Sequence, residues 1–459
     1  KIKMNLLNKI NISFIKLFSI TFLVISFVFL SGLNFEYFQF RFLLLLLLLP
    51  CVFKLYHDIK KKNYNFLIYF LLLFLILFSH ISLNLHYEKA ELTKYSLFGV
   101  IFFLLIFTVA YYYFDFINKN INFIINFFIF IFFISCLLSI FNYRIDSPYF
   151  CGGIPNFIES TTMLDKYGDR IADIRLSFRE FIFPENSHLG MIAPSVITYL
   201  IYKSTSKKVS FLEISVLCIF IIICFIKSST TLFLGTIVSL TLITFFNYKY
   251  LNKRTLISFL ILIILFATVI VSDKECRSRF VPIFPQEMYP QDQHILLDGV
   301  EEKFIVTEEI DESISNKLKN ILNTKGNLSS GIQFHALNIA KRSIVEKPFG
   351  WGLNRYDQAF NYFAKIIPTE LNRINNYNQK DGTNNFIKIV VEFGIFSVIF
   401  YLFIFLFLKN DKISLELKLF YLPFVITQSL RGAGYFKGGF ALIVLLMLFT
   451  YIKVYKKNI

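Results

Sequence analysis

Asp381-Gly382-Thr383-Asn384-Asn385-Phe386 closes the longest polar stretch of the chain and runs directly into an apolar span ending near Phe407. A second turn-rich cluster, Lys347-Pro348-Phe349-Gly350-Trp351-Gly352, lies upstream in the same polar stretch. Together they deliver a polar, Arg-containing segment to the mouth of an apolar helix. About 20 such residues suffice to cross a hydrocarbon core. This junction is the expected working face.

The surrounding composition sets the fold class. Of 459 residues, 56% are hydrophobic and 19% aromatic, where soluble domains run at about 45–50% apolar. The excess comes in runs of about 20 residues, matched to a core of about 30 Å. The expectation is an all-α polytopic membrane protein. The net charge of +16 does not point to nucleic acid, because Lys and Arg of membrane proteins gather on cytoplasmic loops. No basic stripe on a soluble fold is present, so nucleic acid is not an expected partner.

About 12 transmembrane helices are expected, at 11–32, 39–56, 65–84, 95–117, 121–142, 188–203, 211–227, 231–248, 255–272, 385–408, 413–430 and 436–455. Lysines mark every second connection: Lys60 to Lys62, Lys207 and Lys208, Lys249 and Lys253, Lys409 and Lys412, and both termini. Those connections and termini are expected to be cytoplasmic. The chain then divides into N-terminal transmembrane helices (1–142), an extracytoplasmic loop (143–187), central helices (188–272), a large extracytoplasmic loop (273–384) and C-terminal helices (385–459). The large loop is too long to lack structure of its own. Tyr356, Phe360, Phe363 and Ile367 repeat at helical spacing, which predicts a helix with its apolar side on the membrane surface or on the spans. A second helical pattern covers 301–322, whose acidic run reads as a solvated face. The first span reads as an uncleaved anchor, since its apolar core is long and lacks a small-residue cleavage pattern.

Cys51, Cys136, Cys218 and Cys224 fall in spans and are expected to pack. Cys151 and Cys276 share the outer side, where an oxidising compartment permits a bond between them. No His, Cys or carboxylate set has metal-ligand spacing, and no Gly-rich phosphate loop follows a strand. Neither a metal nor another cofactor is expected. His188 and His335 are the outer histidines, each read first as structural.

Arginines separate from lysines. Arg144, Arg170, Arg175, Arg179, Arg342, Arg355, Arg373 and Arg431 all fall on the outer side, against the positive-inside tendency. Guanidinium grips phosphate at two points and stays charged when partly desolvated. Converging outer arginines therefore suit an anionic headgroup, above all a diphosphate; pairing with the acidic run is the other use. Glycosyl transfer from a lipid diphosphate needs a base near the attacking hydroxyl and positive charge on the leaving group.

Several separated pieces resemble the O-antigen polymerase and ligase superfamily, the Wzy-like and WaaL-like membrane glycosyltransferases. Arg179 to Ser187 resembles the family's Arg…Glu-Pro-Ser entry to a span, with Glu185-Asn186-Ser187 in place of Glu-Pro-Ser. Lys227 to Thr231 resembles its short Ser/Thr loop. Glu346 to Gly352 resembles its Pro-x-x-Gly-x-Gly turn, and Thr383 to Ile387 with Glu392-Phe393-Gly394 its His-Asn-x-Tyr-Leu…Glu-x-Gly pattern. Gln333 stands where the family often has Arg, so that Arg342 or Arg355 would substitute. The likeness covers about residues 170–455.

The resemblance implies a metal-independent, GT-C-like transferase in the bacterial inner membrane, with its site facing the periplasm. Its substrates would be undecaprenyl-diphosphate-linked glycans, and its protein neighbours a flippase and a chain-length regulator. Arg175, Arg179, Arg355, Arg431 and Arg342 are the diphosphate candidates. Glu185 is either the base or a salt-bridge partner of Arg179. Thr383, Asn384 and Asn385 either hold the glycan by hydrogen bonds or cap the helix that follows. Ligases usually carry His at the Thr383 position, so a repeat-unit polymerase is the first expectation and an O-antigen ligase the second. A transporter or flippase is the third. It fits the span count but fails on charge, since transporters place charge inside spans and these spans read as nearly charge-free.

Overall fold

The computed structural model describes residues 34–35, 38–39, 43–82, 90–142, 186–206, 211–226, 230–272, 328–364, 382–432, 434–436 and 439–456. Apart from a two-residue antiparallel pair, β1 (Asn34–Phe35) with β2 (Phe38–Gln39), their regular structure is helical. The N-terminal helices are α1 (Leu43–Lys60), α2 (Asn65–Ser82), α3 (Ala90–Lys119) and α4 (Ile121–Asn142). The central ones are α5 (Asn186–Ser206), α6 (Phe211–Ile226), α7 (Thr230–Asn247) and α8 (Lys253–Ser272). Two loop helices follow, α9 (Leu328–Glu346) and α10 (Tyr356–Ala364). The last are α11 (Asn385–Phe393), α12 (Ser397–Lys409), α13 (Leu415–Leu430) and α14 (Phe440–Lys456).

Each expected span from 39–56 onward coincides with a helix, while 11–32 lies outside the described residues. Among the described residues, four helices are long and apolar enough to cross a membrane: Ser96–Lys119, Thr231–Tyr250, Lys253–Ser272 and Asn385–Lys409. A fifth is reached if α1 and α2 count together, although the chain turns by 115° between them. The outward faces are apolar. Ile257, Leu260, Ile261 and Ile264 of α8, and Val398, Ile399 and Leu402 of α12, are exposed. Such stripes are too large for a water-facing monomer and suit lipid.

The closest-packed helices are α5, α7 and α13. Small and hydroxyl residues let their backbones approach, as is usual where lipid removes the hydrophobic drive between helices. Ala193 and Ser195 of α5, Thr236 and Ser239 of α7, and Thr427 of α13 are all fully buried. At Gly235 of α7, a Cβ would come within 2.6 Å of the Thr427 side chain. The α3 helix packs on α1, α2 and α14 and completes the bundle.

The two ends of the bundle differ in chemistry. At one end, Lys418 Nζ donates to Asn247 Oδ1 (2.7 Å) and the Leu408 carbonyl (2.8 Å), and Asn252 Nδ2 donates to the Thr205 carbonyl (3.2 Å). Tyr421 donates to Asn118 there, and Lys453 pairs with Asp115. The helix ends carrying Lys203, Lys249, Lys253 and Lys409 share this end. Since α3 brings its C-terminal Asp115 and Asn118 to this end, Ser96 near its start lies at the opposite end, where it meets Leu353 and Arg355.

The loop helices sit at that second end. Phe360 and Phe363 of α10 are buried with Ile339 of α9 and Ile387, Val390 and Val391 of α11. The apolar side expected for this helix therefore rests on the spans. Each ring so buried contributes roughly 1.5–3 kcal/mol. Ile367 and the pattern at 301–322 lie outside the described residues.

The tight α7–α13 contact makes a prediction. Gly235→Ala overpacks it, at a cost of about 1–3 kcal/mol, and lowers the thermal midpoint of the detergent-solubilised protein. Thr427→Ala in the same chain should restore most of the loss, because the offending atoms belong to a side chain.

Candidate functional site

The span Asn385–Lys409 is broken. It runs as α11, gives way to a 3-10 turn at Gly394–Phe396, and resumes as α12. Gly394 has φ +53° and Gly350 has φ +88°, a left-handed region that favours glycine. A Cβ on Gly394 would collide with the Pro348 carbonyl, and one on Gly350 with the Glu392 carbonyl. The two glycines let the Lys347–Gly352 turn press into the break.

The backbone bonds of the break are then supplied by the turn. Trp351 N–H donates to the Val391 carbonyl (3.0 Å) and Gly352 N–H to the Glu392 carbonyl (2.9 Å). Ile395 N–H donates to the Pro348 carbonyl (2.8 Å). A helix end leaves carbonyls without partners, and here the loop fills those places. His80 of α2 reaches in with Nε2 3.3 Å from the Phe349 carbonyl, its ring stacked on Phe393.

At the centre lies Glu392, which is fully buried. Its Oε2 accepts from Asn354 N–H (2.8 Å) and from the Tyr435 hydroxyl. Its Oε1 accepts from Tyr356 N–H (3.0 Å) and pairs with Lys388 Nζ at 3.1 Å. Lys388 is itself buried, with its ammonium 5.5 Å from the Tyr435 ring centre and 5.9 Å from that of Tyr356. Burial and the Glu392 charge push the Tyr435 hydroxyl well above its ordinary pKa. The spans are therefore not free of charge: the start of this one carries an ion pair.

Arg355 sits between the two amides that Glu392 binds. The side chain is fully buried, and its Nε donates to Ser96 Oγ. That hydroxyl donates in turn to the Leu353 carbonyl (3.0 Å). Burial pushes the guanidinium down to about 10, with Asp357 and Glu392 opposing the shift, so Arg355 stays charged at neutral pH.

The Thr383–Asn385 segment forms the N-terminal end of α11, opposite the break at Gly394. Thr383 and Gly382 both adopt positive φ, +63° and +68°. For a β-branched residue this is strained backbone. The Thr383 hydroxyl donates to the Gly382 carbonyl (2.6 Å). Asn384 takes the capping alternative, with Oδ1 accepting from Ile387 N–H (2.7 Å). Asn385 is different. It is fully buried, and among the described residues neither Oδ1 nor Nδ2 has a hydrogen-bond partner. It faces Gly432, whose N–H reaches the Thr383 carbonyl (3.4 Å). That contact brings half-buried Arg431 beside Thr383 and Asn385.

So the structure gathers Arg355, Thr383, Asn384, Asn385 and Arg431 at one end of the bundle. Arg342 is half-buried on α9, where its charge acts on His335. Gln333 is exposed. Arg175, Arg179 and Glu185 lie outside the described residues, as do Cys151 and Cys276. Cys51 and Cys224 are buried in their helices as expected, whereas Cys218 is exposed on the outer face of α6 and does not pack, and among the described residues no set of metal ligands is found. Lys388 and Glu392 escaped the sequence reading as site residues. Their spacing, i and i+4 inside an apolar helix, was the available signal.

His335 gives a pH prediction. It is buried against Phe360, and burial first, then Arg342, depress its pKa from 6.5 to about 4. A neutral folded form and a protonated unfolded form mean full stability above about pH 6.5 and loss from there down towards pH 4. Thermal midpoints measured across this window should fall more steeply for the native chain than for His335→Leu. Parallel profiles would contradict the assignment. Thr383→Gly makes a second: relief of the left-handed strain should raise the midpoint, with the same assay as readout.

Comparison with protein-family models, curated proteins and solved structures finds no match, so a function must be argued from these residues.

Proposed function

We propose that the chain is a lipid-diphosphate-dependent membrane glycosyltransferase that polymerises undecaprenyl-diphosphate-linked repeat units into O-antigen or a related surface polysaccharide. In this reading about twelve spans cross the cytoplasmic membrane, and the Arg355 end of the bundle faces outward. The observation that carries it is the convergence of three separated stretches, Pro348–Gly352, Thr383–Glu392 and Arg431–Tyr435, at one end of the bundle. The lysine-bearing turns lie at the other end, as a cytoplasmic face would require.

The residues divide the work by exposure. Arg431, half-buried beside Thr383 and Asn385, is the guanidinium we assign to a direct grip on the diphosphate. Arg355 lies beneath the surface, and its charge acts through a medium of low dielectric, where it is felt strongly. The Asn385 carboxamide, buried and without a hydrogen-bond partner among the described residues, has one acceptor and two donors that would suit the hydroxyls of a sugar once the Gly432 turn moves aside. Leaving it unpaired costs about 1–3 kcal/mol, which a hydroxylated ligand would recover.

Transfer then has a simple balance. An acceptor-sugar hydroxyl attacks the anomeric carbon of the growing lipid-linked glycan, and the bond from that carbon to the diphosphate oxygen breaks. The electron pair leaves on the diphosphate, stabilised by guanidinium, and the hydroxyl proton passes to a base. Glu392 already accepts from four donors and is not placed for that task. Glu185 remains the candidate, with Arg179 and Arg175 as further diphosphate ligands. The Thr383 hydroxyl is committed to a local carbonyl and supplies no imidazole, which favours polymerase over ligase.

The test is elongation of a lipid-linked repeat unit by the purified chain in detergent, without metal. Arg431→Ala should slow it on the order of a hundredfold, the loss typical of one transition-state donor. Cells lacking the chain should accumulate single repeat units on the carrier lipid. Long glycan left on the carrier would instead indicate a ligase, and transport without elongation a flippase.

A further inference from the structure

The geometry points to Glu392 as the positioning residue for Arg355, a role that rests on the glycosyl-transfer reading above. The two amides that its carboxylate binds, Asn354 N–H at 2.8 Å and Tyr356 N–H at 3.0 Å, bracket Arg355 on both sides. One carboxylate thus fixes the backbone on either side of the guanidinium. The neighbouring bonds of Trp351 and Gly352 to the last carbonyls of α11 extend the same hold. From this fixed backbone Arg355 reaches Ser96 on α3, 259 positions away in the chain.

The carboxylate is held in turn. Lys388, one helical turn earlier, neutralises it at 3.1 Å, and the Tyr435 hydroxyl closes the remaining side. Tyr435 also accepts from Asn354 N–H at 3.0 Å, so it braces the same peptide from the Arg431 turn. Glu392 thereby ties the backbone that carries the buried guanidinium to Tyr435, which follows Arg431 by four positions in the chain. It does not touch substrate.

The chemistry is specific to a carboxylate. All four groups around it are donors. Glu392→Gln would turn an amide NH2 towards one of them, a donor against a donor, while keeping size and shape. The substitution therefore perturbs Arg355 without opening a cavity.

Two readouts on the full chain in detergent separate this from plain stabilisation. The first needs no ligand. Phenylglyoxal modifies accessible arginines. Arg355 should resist it in the native chain while exposed Arg254 reacts, and Glu392→Gln should make Arg355 reactive. The second is binding of farnesyl diphosphate, followed by the emission of Trp351, the single tryptophan of the chain. Glu392→Gln should weaken binding and kcat/KM for elongation at least tenfold. In an Arg355→Lys background the same substitution should add less than twofold. Should Glu392→Gln fold poorly, Tyr435→Phe keeps the charge, removes one donor and should move both readouts in the same direction.

Continued shielding of Arg355 in Glu392→Gln would overturn the positioning role whatever the activity. So would losses in the double variant that multiply. A native chain that neither binds the diphosphate nor elongates would overturn the functional reading, and the modification pattern would still decide whether Glu392 holds Arg355.

Discussion

A carboxylate inside a protein must have its charge and its lone pairs answered, and Glu392 is the point at which this chain meets that demand. An isolated buried ion costs several kcal/mol in lost hydration, and removing one partner of a buried pair typically costs about 3–5 kcal/mol. Here the answer comes from four places: a lysine on the same helix, two loop amides and a tyrosine from the turn before α14. None of these can move without leaving the carboxylate short of a donor. The described 348–356 segment is consequently fastened to the first turns of a helix long and apolar enough to cross a membrane. The left-handed glycines at 350 and 394 let the two backbones come close enough for that fastening.

The helix bundle supplies the frame. Its helices pack through glycine, alanine and hydroxyl residues, and its outer faces are apolar. The polar chemistry is divided between the ends. Lysine and asparagine side chains cap one end, where they bind backbone carbonyls and one another. Arginine and a carboxylate ion pair occupy the other. Under the proposed topology the lysine end faces the cytoplasm and the arginine end faces the lipid-linked substrates.

Much of this was legible in the sequence because it depends on local period and composition. Apolar runs of helical length stand out against polar turns, so helix positions matched closely. Tyr356, Phe360 and Phe363 announced their helix by spacing alone. Thr383 to Asn385 and Pro348 to Gly352 stood out as turn chemistry before a span. What the sequence hid depends on distant partners. That Arg355 is buried follows from Ser96, far away in the chain, and that Asn385 is left unpaired follows from the turn at Gly432. Glu392 showed in the sequence only within a Glu-Phe-Gly pattern, and Lys388 did not stand out at all, because what surrounds the pair comes from the loop and from Tyr435. Of the two asparagines, only geometry separates the one that caps the helix from the one that does not.

The central claim is that Glu392 fastens the 348–356 backbone to the membrane helix, and amide hydrogen exchange tests it most directly. In the native chain the amides of Trp351, Gly352, Asn354 and Tyr356 should exchange as slowly as those of α11 itself. In Glu392→Ala they should exchange far faster while α13 and α7 stay protected. Loop-like exchange of these four amides in the native chain, or unchanged protection in the variant, would contradict the account.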